Sequence, residues 1–279
     1  MNGKPTYLNA SPGVLVLLTS IVSVSAQLQV LPAPQPQQVF SGNSRTISLL
    51  ISNASDTTAT AQVRARLYQT SSATIMPISE LFWKTLQVLP RQTIVESAVL
   101  DFPTIEAQSR FVIQWLAESN HILGRTEVLV YPANLLKQLN ALVADKPLGV
   151  FDPQNQLKPF LKSSGLEIAD LQDVGMLSFA GSLALIGPFT SQEQMPDGLA
   201  NQIEAMSKKS IGVVWIVPPQ RDKIESSFYS VPLGGRATVI VQAPLIANLA
   251  DNPQAHLNLI HFAQLALHPQ PLRLPAIPK

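Results

Sequence analysis

The 279-residue chain contains no cysteine. That excludes disulfides, thiolate metal ligands, cysteine nucleophiles and lipid attachment through a lipobox cysteine. Charge is scarce too. Asp, Glu, Lys and Arg make up 13% of the residues, about half the roughly 25% usual in soluble proteins, and 23 glutamines supply much of the polar surface instead. The charge is evenly spread: residues 27–131 carry seven basic and seven acidic side chains, residues 132–279 eleven of each, and the net charge is +1. Neither half is a basic surface, which argues against nucleic-acid or anionic-membrane binding driven by charge. After the N-terminal stretch no window holds 18 uninterrupted apolar residues, so no integral membrane span is expected in the mature chain. With 46% hydrophobic residues general disorder is not expected, and the length predicts about two domains.

Residues 1–26 read as a secretory signal. Lys4 opens them, residues 14–24 (VLVLLTSIVSV) are apolar, and Val24-Ser25-Ala26 offers small residues for cleavage. The apolar stretch is shorter than the roughly 20 residues a bilayer span needs; an uncleaved anchor is the alternative. Export without cysteines fits a bacterial periplasm or exterior, since no oxidising folding machinery is required.

A Pro/Gln segment at 31–38 (LPAPQPQQ) is followed by strand after strand to Tyr131. Residues 61–69 (AQVRARLYQ) set Val63, Ala65 and Leu67 against Arg64, Arg66 and Tyr68, the period of two of a half-buried strand. About seven such strands over 27–131 predict an all-β immunoglobulin-like sandwich, with Phe111, Ile113 and Trp115 in its core. At Pro132 the period changes. Short apolar strands at 148–151, 166–171, 182–186, 211–217 and 237–242 alternate with helical stretches. Over 132–268 this predicts a second, α/β domain with a three-layer parallel sheet, closed by a Pro-rich tail at 269–279.

The segments LGVFD (148–152), FAGSLALIGPF (179–189) and KSIGVVWIVPP (209–219) resemble the class I glutamine amidotransferase-like fold, a flavodoxin-type sheet. The two-part layout is similar to exported bacterial proteins that place a β-sandwich before such a domain. The resemblance implies a cysteine on a sharp strand-to-helix turn, GxCxG, with a His and an acid nearby. Here the strand runs into Pro218-Pro219-Gln220, without glycine, cysteine or serine, and proline's fixed φ does not suit the elbow. His268-Pro269-Gln270 has glutamine where the acid would stand. Amidotransferase activity is not expected.

Ligands of open parallel sheets bind beyond the carboxyl ends of the strands, which nominates Asp152, Gly187-Pro188-Phe189, Pro218–Arg221 and Gln242-Ala243-Pro244. Asp152 stands where a phosphotransfer protein would hold an acid, or else it caps the next helix. The 19 residues Pro218–Arg236 read as a long loop, either a partner-binding surface anchored by Phe228 and Tyr229 or a lid on its own domain. Gly234-Gly235-Arg236 precedes a strand, the wrong order for a phosphate loop. His256 and His261 are five apart rather than four, and no serine lies in GxSxG. No catalytic residue, metal or cofactor is therefore expected. The ligand or partner candidates are Asp152, Phe189, Gln220, Arg221, Phe228 and Tyr229. The expected function is a non-catalytic binding or scaffolding protein of the cell envelope with a protein partner. The alternatives are a hydrolase with a non-standard site at the same sheet edge and a small-ligand receptor.

Overall fold

A computed structural model describes residues 28–118, 120–144, 146–219, 228–233 and 236–269. The expected signal segment, Gln220, Arg221, Ser226, Ser227, Gly234, Gly235 and residues 270–279 of the tail lie outside the described residues.

The strands β1 (Leu28–Leu31), β3 (Ser44–Asn53) and β6 (Thr93–Asp101) form an antiparallel sheet in the order β1-β3-β6. A second sheet runs β2-β8-β7-β4-β5, from β2 (Gln37–Phe40), β4 (Ala59–Thr70), β5 (Ile75–Val88), β7 (Ser109–Leu116) and β8 (Ile122–Tyr131). The alternation read in the sequence is what buries Val63, Ala65 and Leu67 of β4 against Ile47, Ile51, Phe111 and Ile113. Trp115 is fully buried, and its indole N–H donates to Thr126 Oγ1 at 2.9 Å, so its one polar atom is satisfied. Asn53 is buried as well. Its amide donates to the carbonyls of Thr57, Val88 and Leu89 and its Oδ1 accepts from Ser55, which pins the turn between β3 and β4. β5 pairs with β4 alone and is bulged twice, with Ile78 and Trp83 left out of the pairing and Pro77 between Met76 and the first bulge.

Beyond Tyr131 come α1 (Gln138–Val143), β9 (Leu148–Phe151), α2 (Lys158–Ser163), β10 (Ile168–Asp170), α3 (Leu171–Val174), β11 (Leu183–Ile186), α4 (Leu199–Lys208), β12 (Gly212–Val217), β13 (Phe228–Leu233), β14 (Arg236–Gln242) and α5 (Pro253–Leu267). The strands form one sheet in the order β10-β9-β11-β12-β14-β13. Leu185, Val214, Ile216, Val239 and Val241 face the core built with α5, while Ala184, Ile186 and Val213 face that built with α4.

This arrangement corrects the expected fold class of a separate all-β sandwich followed by an α/β parallel-sheet domain. Strand accounts for 44% and helix for 24% of the structure, in three sheets. The six-stranded sheet is mixed, because part of the stretch read as a loop folds back as β13, antiparallel to β14. The five-stranded sheet is mixed too, since β2 enters parallel to β8. Helices are few, and α1, α2 and α3 have only six, six and four residues. Two buried residues from before Pro132, Phe40 and Tyr131, join the same cluster as Leu135, Leu139, Leu259 and Phe262. Along that seam the Phe40 ring lies 4.7 Å from His256, the Arg45 guanidinium lies over the Phe40 ring at 5.9 Å from its centroid, and Gln38 donates to Gln254 at 3.0 Å. Local periodicity registers each strand but not the long-range pairings that make sheets mixed or fuse cores.

Two substitutions separate the contributions to this seam. Phe40→Ala removes a buried ring and is expected to cost about 3–5 kcal/mol. Arg45→Ala loses an ion pair to the exposed Asp251 and a hydrogen bond to the Phe40 carbonyl and is expected to cost about 1–2 kcal/mol. Urea denaturation measures both; equal, small losses would show that the seam is not part of the core.

Candidate functional site

The parallel strands β9, β11, β12 and β14 all end on one edge of the six-stranded sheet, and strand order reverses there between β9 and β11. Prolines help stop the ladder at each neighbouring end: Pro188 after β11, Pro218 and Pro219 after β12, Pro244 after β14. Lacking an N–H, they cannot extend strand pairing. A cleft of about 610 Å³ opens beyond them, within the usual range for small-ligand sites. Leu157, Phe160, Pro188, Pro219, Ile246 and Leu249 are among its apolar wall residues, and Gln156, Thr190 and Asn248 supply its polar groups. No ionisable side chain lines it among the described residues. Thr190 is held in place, its N–H and hydroxyl both donating to Gln194 Oε1 at 2.8 and 3.0 Å.

Asp152 stands at the edge but does not line the cleft. It is fully buried, and its Oδ2 accepts the N–H groups of Leu157 and Lys158 at 2.6 and 2.9 Å. It therefore serves the opening of α2 from several residues upstream, while Leu157, in the N-cap position, makes no side-chain cap bond. Its Oδ1 is buried without a hydrogen-bond partner among the described residues. The next residue in this chain of contacts is Lys158, whose Nζ donates to Asp170 Oδ2 at 2.6 Å and to Gln172 Oε1 at 2.7 Å. Burial pushes the Asp170 carboxyl up, but the Lys158 hydrogen bond, the Gln172 N–H and the charges of Lys158 and Lys162 outweigh it and hold it below its ordinary value. These groups fasten α2 to β10 and α3.

Of the remaining ligand or partner candidates, Gln220 and Arg221 lie outside the described residues, and Phe189, Phe228 and Tyr229 do not line the cleft. Phe189, named as a ligand or partner candidate, is instead fully buried among Ile186, Leu199, Ile203 and Met206. Phe228 and Tyr229 stand on the edge strand β13 rather than on a projecting loop. Phe228 packs its ring on Phe262 at 5.0 Å and edge-on to His261 at 6.3 Å, and Tyr229 is 53% exposed opposite Ile240. No group of three or more His, Cys, Asp or Glu able to hold a metal occurs among the described residues.

The sequence reads His256 as an ordinary helix-surface or core residue, and the structure buries it behind the cleft wall. It is 3% exposed, lies between Phe40 and Phe160 at 4.7 and 5.6 Å, and its Nε2 meets the Leu249 carbonyl at 2.7 Å. A carbonyl can only accept, so Nε2 carries the proton, and the buried Nδ1 has no partner among the described residues. Burial lowers the pKa, and the bond to Leu249 only partly opposes it.

No family model matches the chain, and no curated protein does. Among solved structures, a Pseudomonas fluorescens alkylpurine DNA glycosylase bound to abasic DNA is similar at 13% identity and a TM-score of 0.30, over 38% of this chain and 30% of that one. The CARDB domain of a Pyrococcus furiosus protein is similar at 16% identity and 0.24, over 38% of this chain and 94% of the domain. A Niemann-Pick type C2 protein from the Japanese carpenter ant is similar at 8% and 0.26, over 34% and 78%. Likenesses of this size carry no functional argument.

The buried histidine sets a pH dependence. Its folded pKa lies below the ordinary 6.5, so its contribution is present above about 6.5 and is lost as pH falls from there through the folded value. Asp170 loses its contribution only below about 3.8. Urea midpoints measured between pH 8 and pH 5 are expected to fall on the acid side for the native chain and to flatten in His256→Phe. An unchanged slope in the variant would move the acid sensitivity elsewhere.

Proposed function

We propose that this chain is a non-catalytic binding protein of the cell envelope, and that its ligand is a small, uncharged, largely apolar molecule held in the cleft at the carboxyl edge of the six-stranded sheet. The observation that supports it is the cleft itself: about 610 Å³, walled by aliphatic, proline and phenylalanine side chains with Gln156, Thr190 and Asn248 as hydrogen-bonding groups. A charged ligand would lose its hydration there without a counter-charge from the described wall. The resemblance to amidotransferase-like sheets fits the same reading, since Pro218-Pro219 stands where the nucleophile's turn would be. Export rests on the sequence of residues 1–26, and the described helices include none long and apolar enough to cross a membrane.

The test is a titration with a neutral apolar dye such as Nile red, followed by fluorescence and by thermal stability. Saturable binding is expected, with stability rising by about 2.7 kcal/mol at 100 times the Kd. Ala247 is exposed and lines the cleft, so Ala247→Trp fills the space without disturbing the core and is expected to weaken binding at least about tenfold. Dye binding that A247W leaves unchanged would place the site elsewhere.

Asp152→Ala separates structure from binding. Removing the group that accepts two buried N–H donors is expected to cost about 1–3 kcal/mol in urea denaturation. At a temperature where the variant remains folded, the dye's Kd is expected to stay within about twofold of the native value. Loss of dye binding by the folded variant would instead make Asp152 part of the site.

A further inference from the structure

The opposite, amino-terminal edge of the six-stranded sheet carries a second cleft, of about 570 Å³. It lies where β11, β12 and β14 begin, and its wall is unlike that of the first. Lys146, Lys209 and Arg236 all line it, together with Ser178, Gly181 and Ser182, and no carboxylate lines it among the described residues. These three cations come from distant parts of the sequence, and the fold alone assembles them.

Three features make this more than scattered surface charge. First, the chain carries a net charge of only +1, and many of its cations are neutralised locally: Arg64 and Arg66 by Glu80, Lys84 by Glu96, Lys158 by Asp170, Lys208 by Glu204. Lys146, Lys209 and Arg236 have no ion pair among the described residues. Second, two of the charged heads are tethered. Lys209 Nζ donates to the Leu177 carbonyl, and Arg236 Nη1 donates to the Leu267 carbonyl at the end of α5. Each tether uses one donor of an ammonium that has three or of a guanidinium that has five. The heads are thus held in place with donors left over, which lowers the ordering entropy lost when a ligand binds. Third, the floor is fixed. A Cβ on Gly181 would come within 2.1 Å of the Phe179 ring and 2.7 Å of the Pro147 carbonyl, so only glycine lets the backbone lie this close.

We propose that this cleft binds a phosphate-class oxyanion. Three cationic residues lining one bounded cleft favour a compact, multiply charged anion over an extended polyanion. The guanidinium fork and the two ammonium groups suit phosphate oxygens. The same chemistry is presented by a soluble phosphate and by the phosphomonoester headgroup of a lipid. The site is independent of the apolar cleft, which occupies the other edge of the sheet.

The test uses the full chain. Pyrophosphate is titrated calorimetrically at low and at physiological ionic strength, and in parallel the protein is sedimented with phosphatidylcholine vesicles with and without phosphatidic acid. Saturable binding of pyrophosphate, weaker at higher salt, assigns a soluble ligand. Sedimentation only with the phosphatidic acid vesicles assigns the headgroup. In either case the double variant Lys146→Gln/Lys209→Gln is expected to lose at least about tenfold in affinity. Arg236→Lys, which keeps the charge but replaces the fork, tests the third cation and is expected to weaken binding less. Urea midpoints confirm that the variants remain folded, and A247W serves as a control that leaves this site untouched. No response to pyrophosphate or to the acidic vesicles, or equal affinity in a folded double variant, would overturn the proposal.

Discussion

Helix α5 has several neighbours to satisfy at once, and most of the structure depends on its doing so. Leu259, Ala263 and Ala266 lie against β12 and β14, His256 meets the Phe40 ring of β2, and Phe262 receives Phe228 of β13. A helix apolar on only one stripe could not do this; here nine of fifteen residues are buried. Its start is fixed by Asn252, whose side chain accepts the N–H groups of Gln254 and Ala255, with Pro253 in the first turn. The loop leading to that cap, through Leu249 and Ala250, is also the wall of the apolar cleft. The last turn, through the Leu267 carbonyl, holds Arg236 at the cationic one. The two clefts are therefore formed at opposite ends of a single rod.

At the cleft end of that rod, His256 joins three parts of the molecule through one ring: a strand from the first half, the helix α2 through Phe160, and the wall residue Leu249. A phenylalanine would pack there, but it could not hold the Leu249 carbonyl. The imidazole does both while neutral. Protonation would place a second N–H at Nδ1, against surroundings that offer it no acceptor among the described residues, which is why burial and the seam between the halves resist it.

The strands were the most legible part of the chain, because each is written locally, as alternation in β4 and as a short continuous apolar run in β9. The pairing of those strands was not. Nothing within residues 37–40 announces that β2 will lie parallel to β8 and against α5, and nothing within residues 228–233 separates an edge strand from a loop tip. The rule that ligands gather at the carboxyl edge nominated Pro188, Pro219 and Pro244, and all three line the cleft there. It misjudged Phe189, since the backbone turn after β11 sends that ring into the core rather than outward. Asp152 shows a similar limit: the helix-capping role was readable, but its reach past the N-cap position to Leu157 and Lys158 was not. Lys146, Lys209 and Arg236 share no motif, so only their meeting in space marks them.

Among the described residues the edge strand β5 is the longest, with 14 residues, and it pairs on one side only. A flat ribbon of that length, bearing exposed Ile75, Met76 and Phe82, would be a template for polymerisation into a shared sheet. Two features prevent it from being flat. The bulges at Ile78 and Trp83 each shift the register, and Pro77 contributes no N–H to any partner. A second chain approaching this edge would find no uninterrupted run of evenly spaced donors and acceptors to copy.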